Sequence, residues 1–131
     1  MTRRVVVTGL GLVTPLGNDV TSNWEALVAG RSGIGTISLF DTSAYDFPIA
    51  GEVRNFEPSD FVDSKLLRRI DRSTVFALAA AQNALADAGL NMAAENVRRV
   101  GVVVGTGIGS AQLIVEQAAV LAEKGPRRVS P

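Results

Sequence analysis

The chain contains two copies of one short pattern, in which a basic pair precedes a valine-rich run and then glycines at alternate positions. The first copy begins at Arg3 and reads RRVVVTGLG, and the second begins at Arg98 and reads RRVGVVVGTGIG. β-Branched residues that are apolar at successive positions are typical of strands buried on both faces of a sheet. The following glycines allow tight turns or close backbone approach. The pattern therefore predicts an α/β fold with buried strands at 4–8 and 99–104.

The segments between and after these runs predict four helices. Asp19 or Thr21 is a suitable N-cap for the first helix, and Asp71 is one for a long, nearly all-apolar helix. Ser110 is placed to cap the last helix, and a glycine follows three of the predicted helix ends. The predicted helices cover 19–29, 64–72, 71–88 and 110–124, and a short edge strand covers 49–53.

Composition excludes several classes of function. The 131 residues suffice for one domain, and thirteen basic and thirteen acidic side chains cancel, so no overall field favours nucleic acid or an anionic membrane. The longest apolar runs fall far short of the roughly 20 residues of a membrane helix. We therefore expect a cytoplasmic protein that binds neither nucleic acid nor membrane. Because the chain has no cysteine and no histidine, thiol and imidazole catalysis within it is excluded, and no metal-ligand spacing appears.

Two groups of basic side chains stand out in this neutral chain. One forms a stripe at i, i+3, i+4 and i+7 without acidic neighbours on its own face, and the other is a pair after the last predicted helix. A charge run is usually a solvated helix face. Two uncompensated groups instead favour docking of an acidic protein or a phosphate-bearing ligand. The stripe is Lys65, Arg68, Arg69 and Arg72, and the pair is Arg127 and Arg128.

The second glycine loop, Gly105–Ser110, has two interpretations besides a tight turn. It follows a predicted strand and precedes a helix, so an anion could bind at the helix N-terminus, although the loop lacks the lysine of a phosphate loop. Ile108 is an apolar, branched residue between two glycines, which favours a functional side chain. Its alternative role is a plug that packs against the sheet.

A series of short phrases now resembles a known family. In order along the chain stand VVTGLG, TPLG, RSGI, FD, DR, DAGL, GTGIG and GPRRVSP. Together they resemble the N-terminal portion of a β-ketoacyl-acyl-carrier-protein synthase, closest to the elongating type II condensing enzyme of bacterial fatty acid synthesis. The resemblance covers essentially the whole chain, residues 1–131.

The resemblance implies a thiolase-like, layered α-β-α-β-α fold that assembles as a homodimer. Residues 1–131 would be a single incomplete domain that supplies only part of the N-terminal half. The implied reaction is decarboxylative Claisen condensation of malonyl- and acyl-carrier protein, without a redox cofactor. The family's catalytic cysteine and two histidines would lie beyond Pro131, so no catalytic residue is expected in this chain, and alone it is expected to be inactive.

The resemblance also implies roles for residues already noted. Ile108 matches the isoleucine that lines and gates the acyl pocket. Five basic residues match positions that receive the acidic face of acyl carrier protein: Lys65, Arg68, Arg69, Arg127 and Arg128. Three alternatives stay open, namely a ketosynthase fragment of a polyketide synthase, a noncatalytic carrier-protein-binding or dimerisation module, and a small nucleotide-binding α/β domain.

Overall fold

The structure of the chain is a computed structural model that describes residues 2–130. Helices and a short two-stranded antiparallel sheet alternate with long irregular segments, and three single 3₁₀ turns supplement them. The sheet pairs Ile34 with Gly51 and Thr36 with Ile49. The elements are α1 (Val20–Val28), β1 (Ile34–Thr36), β2 (Ile49–Gly51), α2 (Ser64–Leu67), α3 (Arg72–Asp87) and α4 (Ala111–Lys124), with 3₁₀ turns at Pro58–Asp60, Val97–Arg99 and Pro126–Arg128.

The predicted ends of α1 and α3 are confirmed by their caps. Asp19 accepts a hydrogen bond of 2.7 Å from the backbone N–H of Ser22, and Asp71 accepts one of 2.9 Å from Thr74. Gly30 and Gly89 follow the two helices with φ angles of 64° and 63°, which favour glycine. Side chains and turns close in sequence therefore set where these helices begin and end.

The prediction of one helix over 64–72 is wrong, because α2 ends at Leu67. The cause is the N-cap of the next helix. Asp71 has extended backbone angles, φ −86° and ψ 172°, which its capping bonds require and which no helix can continue through. The basic stripe of the sequence is therefore not one helix face.

The prediction of buried strands at 4–8 and 99–104 is also wrong for this structure. Within residues 2–130 neither valine-rich run pairs with another strand, and Arg99, the first residue of the second predicted strand, is the last residue of the 3₁₀ turn Val97–Arg99. Val5 is 90% exposed and Val103 is 97% exposed. A strand exists through hydrogen bonds to neighbouring strands, and residues 2–130 supply none beside either run.

The first glycine loop packs directly against α3. A Cβ atom on Gly11 would overlap the backbone carbonyl of Ala80, and one on Gly9 would overlap that of Ala84. Both glycines are therefore required for this close approach, which is one of the two roles that the sequence pattern allowed.

The small core lies between α3 and the segment that precedes α2. Phe56 stacks on Phe61 with ring centroids 5.3 Å apart and meets Phe76 of α3 edge-on at 5.0 Å. Val75 and Ala79 of α3 are buried. Aromatic packing of this kind holds the segment before α2 on the helix that carries the Asp71 cap. In the described residues no helix is both long and apolar enough to cross a membrane.

The buried carboxylate of Glu52 fixes the loop between the two strands. Glu52, just after β2, accepts hydrogen bonds of 2.9 Å from the Ser38 N–H, 2.8 Å from the Ser38 hydroxyl and 3.1 Å from the Leu39 N–H. The Arg54 guanidinium lies 3.7 Å away. The bonds from Ser38 above all, then Leu39 and Arg54, lower the pKa of Glu52 and keep it ionised. The chain that leaves β1 is thereby fixed to the chain that leaves β2.

Candidate functional site

A groove of about 730 Å³ lies between the α2–α3 turn and α4. The turn and the beginning of α3 form one wall, and the first two turns of α4 form the other, where Glu116 and Gln117 lie. The groove carries both signs of charge. Its lining residues are Arg68, Arg69, Ile70, Asp71, Arg72, Gln112, Leu113, Glu116, Gln117 and Ser130.

Arg68 and Arg69 line this groove, and both side chains are exposed. Lys65 is exposed on α2, one helical turn before them. The Asp63 carboxylate caps α2 through bonds of 2.9 Å to the N–H groups of Lys65 and Leu66, so the position of this short helix is fixed locally.

The second basic pair lies close to the same groove. Arg127 and Arg128 are exposed in the 3₁₀ turn after α4. Ser130 lines the groove, and its N–H donates a hydrogen bond of 2.7 Å to Gln117 on α4. Two trans peptide steps separate the Cα atoms of Arg128 and Ser130 by at most about 7.6 Å. The fold therefore brings together two basic groups that are far apart in sequence, and we call Lys65, Arg68, Arg69, Arg127 and Arg128 the basic surface.

Arg72, the fourth member of the predicted stripe, has a different use. Its guanidinium donates a hydrogen bond of 2.8 Å to the carbonyl of Val53 and lies 5.1 Å from the ring centroid of Phe76. These contacts join α3 to the segment after β2. The charge of Arg72 thus serves the fold rather than the basic surface.

Asp71, the N-cap of α3, lines the groove. The hydroxyls of Ser73 and Thr74 and the N–H of Thr74 all donate to Oδ1 of Asp71, at 2.9 to 3.0 Å. The Ser110 hydroxyl above all, and then the Thr74 N–H, lower the pKa of Asp71 to about 2. Ser110 is the N-cap residue of α4 as predicted, but within the described chain its side chain makes no capping bond to that helix.

The sequence does not predict the effect of the Ser110 hydroxyl on the pKa of Asp71. Its pattern identifies both residues only as caps of their own helices, and nothing local distinguishes a serine that caps its helix from one that acts on a carboxylate elsewhere. The signal that exists is indirect: Ser110 directly follows a glycine with φ of 75°, which turns the chain sharply before α4.

Ile108 lies on the exposed loop immediately before α4 and is itself 78% exposed. Two hydrogen bonds of the described chain hold the loop: the Gly109 N–H donates to the Thr106 hydroxyl at 2.9 Å, and the Ala111 N–H donates to the Gly109 carbonyl at 3.1 Å. A packed plug at Ile108 is therefore not seen. The residue projects from the short loop that leads into α4.

The described residues contain no group of three or more histidine, cysteine, aspartate or glutamate side chains arranged to hold a metal ion. The groove has charged side chains but no cysteine or histidine, which the chain lacks altogether. Its lining offers charged and polar side chains to a bound partner.

The helices and the short sheet make this a mixed α/β chain, and its likeness to solved ketosynthases identifies it as part of a thiolase-like fold. Residues 2–131 match the family model described as β-ketoacyl synthase, N-terminal domain. The chain belongs to this family.

Curated relatives named 3-oxoacyl-[acyl-carrier-protein] synthase 2 match nearly all of the chain. Those of Coxiella burnetii and Vibrio cholerae are each 46% identical over 129 residues, and that of Synechocystis sp. is 44% identical. Each match covers 98% of this chain and 31% of the relative. The chain thus spans about a third of the length of these relatives.

Two solved structures share the fold. One is described as the ishigamide ketosynthase/chain length factor, with a TM-score of 0.75 and 34% identity over 98% of this chain and 32% of that one. The other is described as a type II PKS acyl-carrier protein in complex with its ketosynthase bound to the hexaketide (AntDE:AntF). It has a TM-score of 0.79 and 28% identity, over 100% of this chain and 35% of that one.

Proposed function

We propose that this chain is the N-terminal part of a 3-oxoacyl-acyl-carrier-protein synthase, which extends fatty acyl chains by decarboxylative Claisen condensation with malonyl-carrier protein. The observation that carries this proposal is the identity of 43–46% over 98% of the chain with relatives of that name. A polyketide ketosynthase is the second candidate, because both solved structures above include ketosynthases. Their lower identities, 34% and 28%, favour the fatty acid enzyme.

In this proposal the chemistry belongs to residues outside the chain. A cysteine thiolate would accept the acyl group, and two histidines would assist loss of carbon dioxide from the malonyl group. The resulting carbanion would attack the acyl thioester. The chain has neither cysteine nor histidine, so its own contribution is to bind the carrier protein and to shape the acyl pocket.

The same proposal includes a layered α-β-α-β-α architecture, a homodimer and a cytoplasmic location. The exposed valine-rich runs support the layered architecture. Their exposed apolar side chains are of the kind that is buried on both faces of a sheet, and the family fold would place a strand on each side of them.

The carrier protein is the proposed partner of the basic surface. Within the described residues none of the five cations of the basic surface forms a salt bridge. The ion pair present there joins Arg54 to Glu52. Arg68 and Arg69 line an open groove, and Arg128 lies near it. An acidic partner would meet complementary charge there, which mainly accelerates association. The structure of a ketosynthase with its acyl-carrier protein supports such a complex in the family.

Ile108 is the proposed gate of the acyl pocket. It lies on a loop with glycine on either side, so the side chain can move without strain in the neighbouring residues. In this role the residue would contact the distal part of a long acyl tail and leave short acyl groups untouched.

The deciding experiment uses the protein in which this segment occurs together with its cysteine and histidines. Purified enzyme is mixed with fatty acyl- and malonyl-carrier protein, and 3-oxoacyl product is measured by mass spectrometry. Formation of 3-oxoacyl product is expected. Acylation by acyl-carrier protein without any condensation product would contradict the proposed function.

The carrier-protein interface is tested with two matched double variants. Arg68→Glu with Arg69→Glu reverses two charges of the basic surface, whereas Arg98→Glu with Arg99→Glu makes the same change at the exposed 3₁₀ turn Val97–Arg99. The first variant is expected to slow association with carrier protein and to weaken its salt dependence, and the second is not. Equal slowing by both would show a general charge effect, and loss of activity on a small acyl thioester would show a structural one.

A further inference from the structure

A second groove, of about 560 Å³, lies between the chain that leaves β2, the chain that leaves β1 and the first residue of α3. Its volume falls within the range of small-molecule sites. Leu39 and Phe56 contribute apolar surface to it. The charged side chains that line the groove beside them are Glu52, Arg54, Glu57 and Arg72.

The guanidinium groups of Arg54 and Arg72 keep most of their hydrogen-bonding capacity. Nη2 of Arg54 donates to the Thr36 carbonyl at 3.3 Å, and Nη2 of Arg72 donates to the Val53 carbonyl at 2.8 Å. No hydrogen bond within residues 2–130 uses Nε or Nη1 of either side chain. A guanidinium presents five donors in a planar fork that matches the two oxygens of a carboxylate. The groove therefore offers free donors from two cations.

The two carboxylates of the groove leave these donors free. Both oxygens of Glu52 accept hydrogen bonds from the chain that leaves β1, and Glu52 lies 3.7 Å from Arg54, beyond hydrogen-bond distance. Oε1 of Glu57 accepts bonds of 3.2 and 2.7 Å from the N–H and hydroxyl of Ser59. Glu57 nevertheless brings a negative charge that would repel a bound anion, and this repulsion can be tested.

The turn that carries Arg54 is fixed from the opposite side by an asparagine. The Asn18 side-chain amide donates to the carbonyls of Arg54 and Asn55, at 3.0 and 2.9 Å. Asn55 has a φ of 52°, and within the described chain it is the one non-glycine residue with a positive φ. Uncommon backbone conformations of this kind cluster at ligand sites, and a preformed site loses less entropy on binding.

We propose that this groove binds a small monocarboxylate with an apolar body. The carboxylate receives hydrogen bonds from Arg54 and Arg72, because charge-assisted bonds to a guanidinium are strong and directional. The apolar body lies against Phe56 and against Leu39, which is 65% exposed and would be removed from water. This site goes beyond the proposed function and does not depend on it, since binding needs no condensation activity.

The test is binding of 4-phenylbutyrate to the complete protein in which this segment occurs, measured by isothermal titration calorimetry. Arg54→Gln is expected to weaken binding by about tenfold or more, as for loss of a hydrogen bond between charged groups. Arg31→Gln removes the same charge at an exposed arginine outside the groove and is expected to bind like the wild type. A wild type that does not bind, or equal weakening by both variants, would overturn the proposal.

Two further comparisons leave Arg54 in place, so they do not depend on how Arg54→Gln folds. Glu57→Gln keeps an oxygen that can accept the bonds from Ser59 but removes the like charge, and it is expected to tighten binding by about twofold. 4-Phenylbutanamide has the same apolar body without the charge, and it is expected to bind the wild type at least about tenfold more weakly than the acid. Equal binding of acid and amide, or weaker binding of the acid by Glu57→Gln, would overturn the proposed site.

Discussion

The backbone N–H of Leu10 donates a hydrogen bond of 2.8 Å to the Asp87 carboxylate in the last turn of α3. This bond fixes the first glycine loop to a helix that lies more than sixty residues later in the chain. Gly9 and Gly11, on either side of Leu10, are in direct contact with the helix backbone. The loop and α3 therefore behave as one packed unit.

The close approach at Gly11 predicts a large effect of a single methyl group. Gly11→Ala is expected to destabilise the chain by about 1–3 kcal/mol, because the added Cβ would overlap the Ala80 carbonyl and the loop would have to move. The measurement is the midpoint of urea unfolding, followed by circular dichroism at 222 nm.

Gly101→Ala is the control for this prediction. In the described chain no atom lies within 4 Å of a Cβ built at Gly101. The free energy of unfolding of this variant is expected to match that of the wild type within about 0.5 kcal/mol, as for a surface substitution. Equal destabilisation by both variants would contradict the proposed packing of the first loop.

The ends of α1 and α3 show what the sequence can predict. Asp19, Asp71 and Gly89 act within a few residues of the helix ends that they define, so their effect is readable locally. The effect of Ser110 on the pKa of Asp71 depends on how α3 and α4 approach each other, which no local pattern encodes. Ile108 and the basic surface stand out in the sequence pattern, but their specific roles come from family resemblance and stay predictions.

The valine-rich runs show the opposite case. Their composition indicates strands that are buried on both faces of a sheet, and the strand propensity of Val5 and Val103 does not depend on their surroundings. Pairing and burial, however, require other segments. Within residues 2–130 such partners are lacking, so a correct propensity led to a wrong structural assignment.

The low pKa of Asp71 predicts how stability depends on pH. Its folded pKa of about 2 lies below the ordinary value of 3.8. The carboxylate therefore contributes stability that is fully present above about pH 4 and is lost as the pH falls through about 2. The shift corresponds nominally to about 2.5 kcal/mol, which solvent screening of this half-buried group reduces to about 1 kcal/mol.

Asp71→Asn measures this contribution, because asparagine is also a good N-cap but carries no charge. Unfolding by urea is compared at pH 7 and at the lowest pH where both proteins fold. The variant is expected to be less stable by about 1 kcal/mol at pH 7, with the difference shrinking towards acid pH. A difference in unfolding free energy that does not depend on pH would show that the charge of Asp71 does not contribute to stability.

The exposed valines predict that the isolated chain associates with itself. Val103→Lys is expected to weaken association by about tenfold, since burying a valine contributes about 1.5 kcal/mol and 1.4 kcal/mol is a factor of ten. Sedimentation velocity over a range of concentrations measures this. Thr2→Lys adds the same charge without removing an apolar side chain, and equal weakening by Thr2→Lys would attribute association to charge rather than to the valine run.

Enlargement of the proposed gate predicts a dependence on acyl chain length. In the complete enzyme, Ile108→Phe is expected to slow acylation by long acyl groups and to spare the shortest, because a ring added to a packed pocket costs about 1–3 kcal/mol. Acylation rates are measured across a series of chain lengths. Ile34→Phe makes the same change on β1, and a uniform loss across the series for Ile108→Phe would indicate packing rather than gating.

The bonds from Ser38 and Leu39 to Glu52 have a practical consequence for labelling the protein. These bonds hold together the two ends of the loop between β1 and β2, and the residues in the middle of this loop, Ser43 and Ala44, are exposed. Lengthening a loop whose ends are already held together costs only about 0.6 kcal/mol for each doubling. A peptide epitope or fluorophore tag inserted between Ser43 and Ala44 would therefore label the protein while leaving the pairing of β1 with β2 in place.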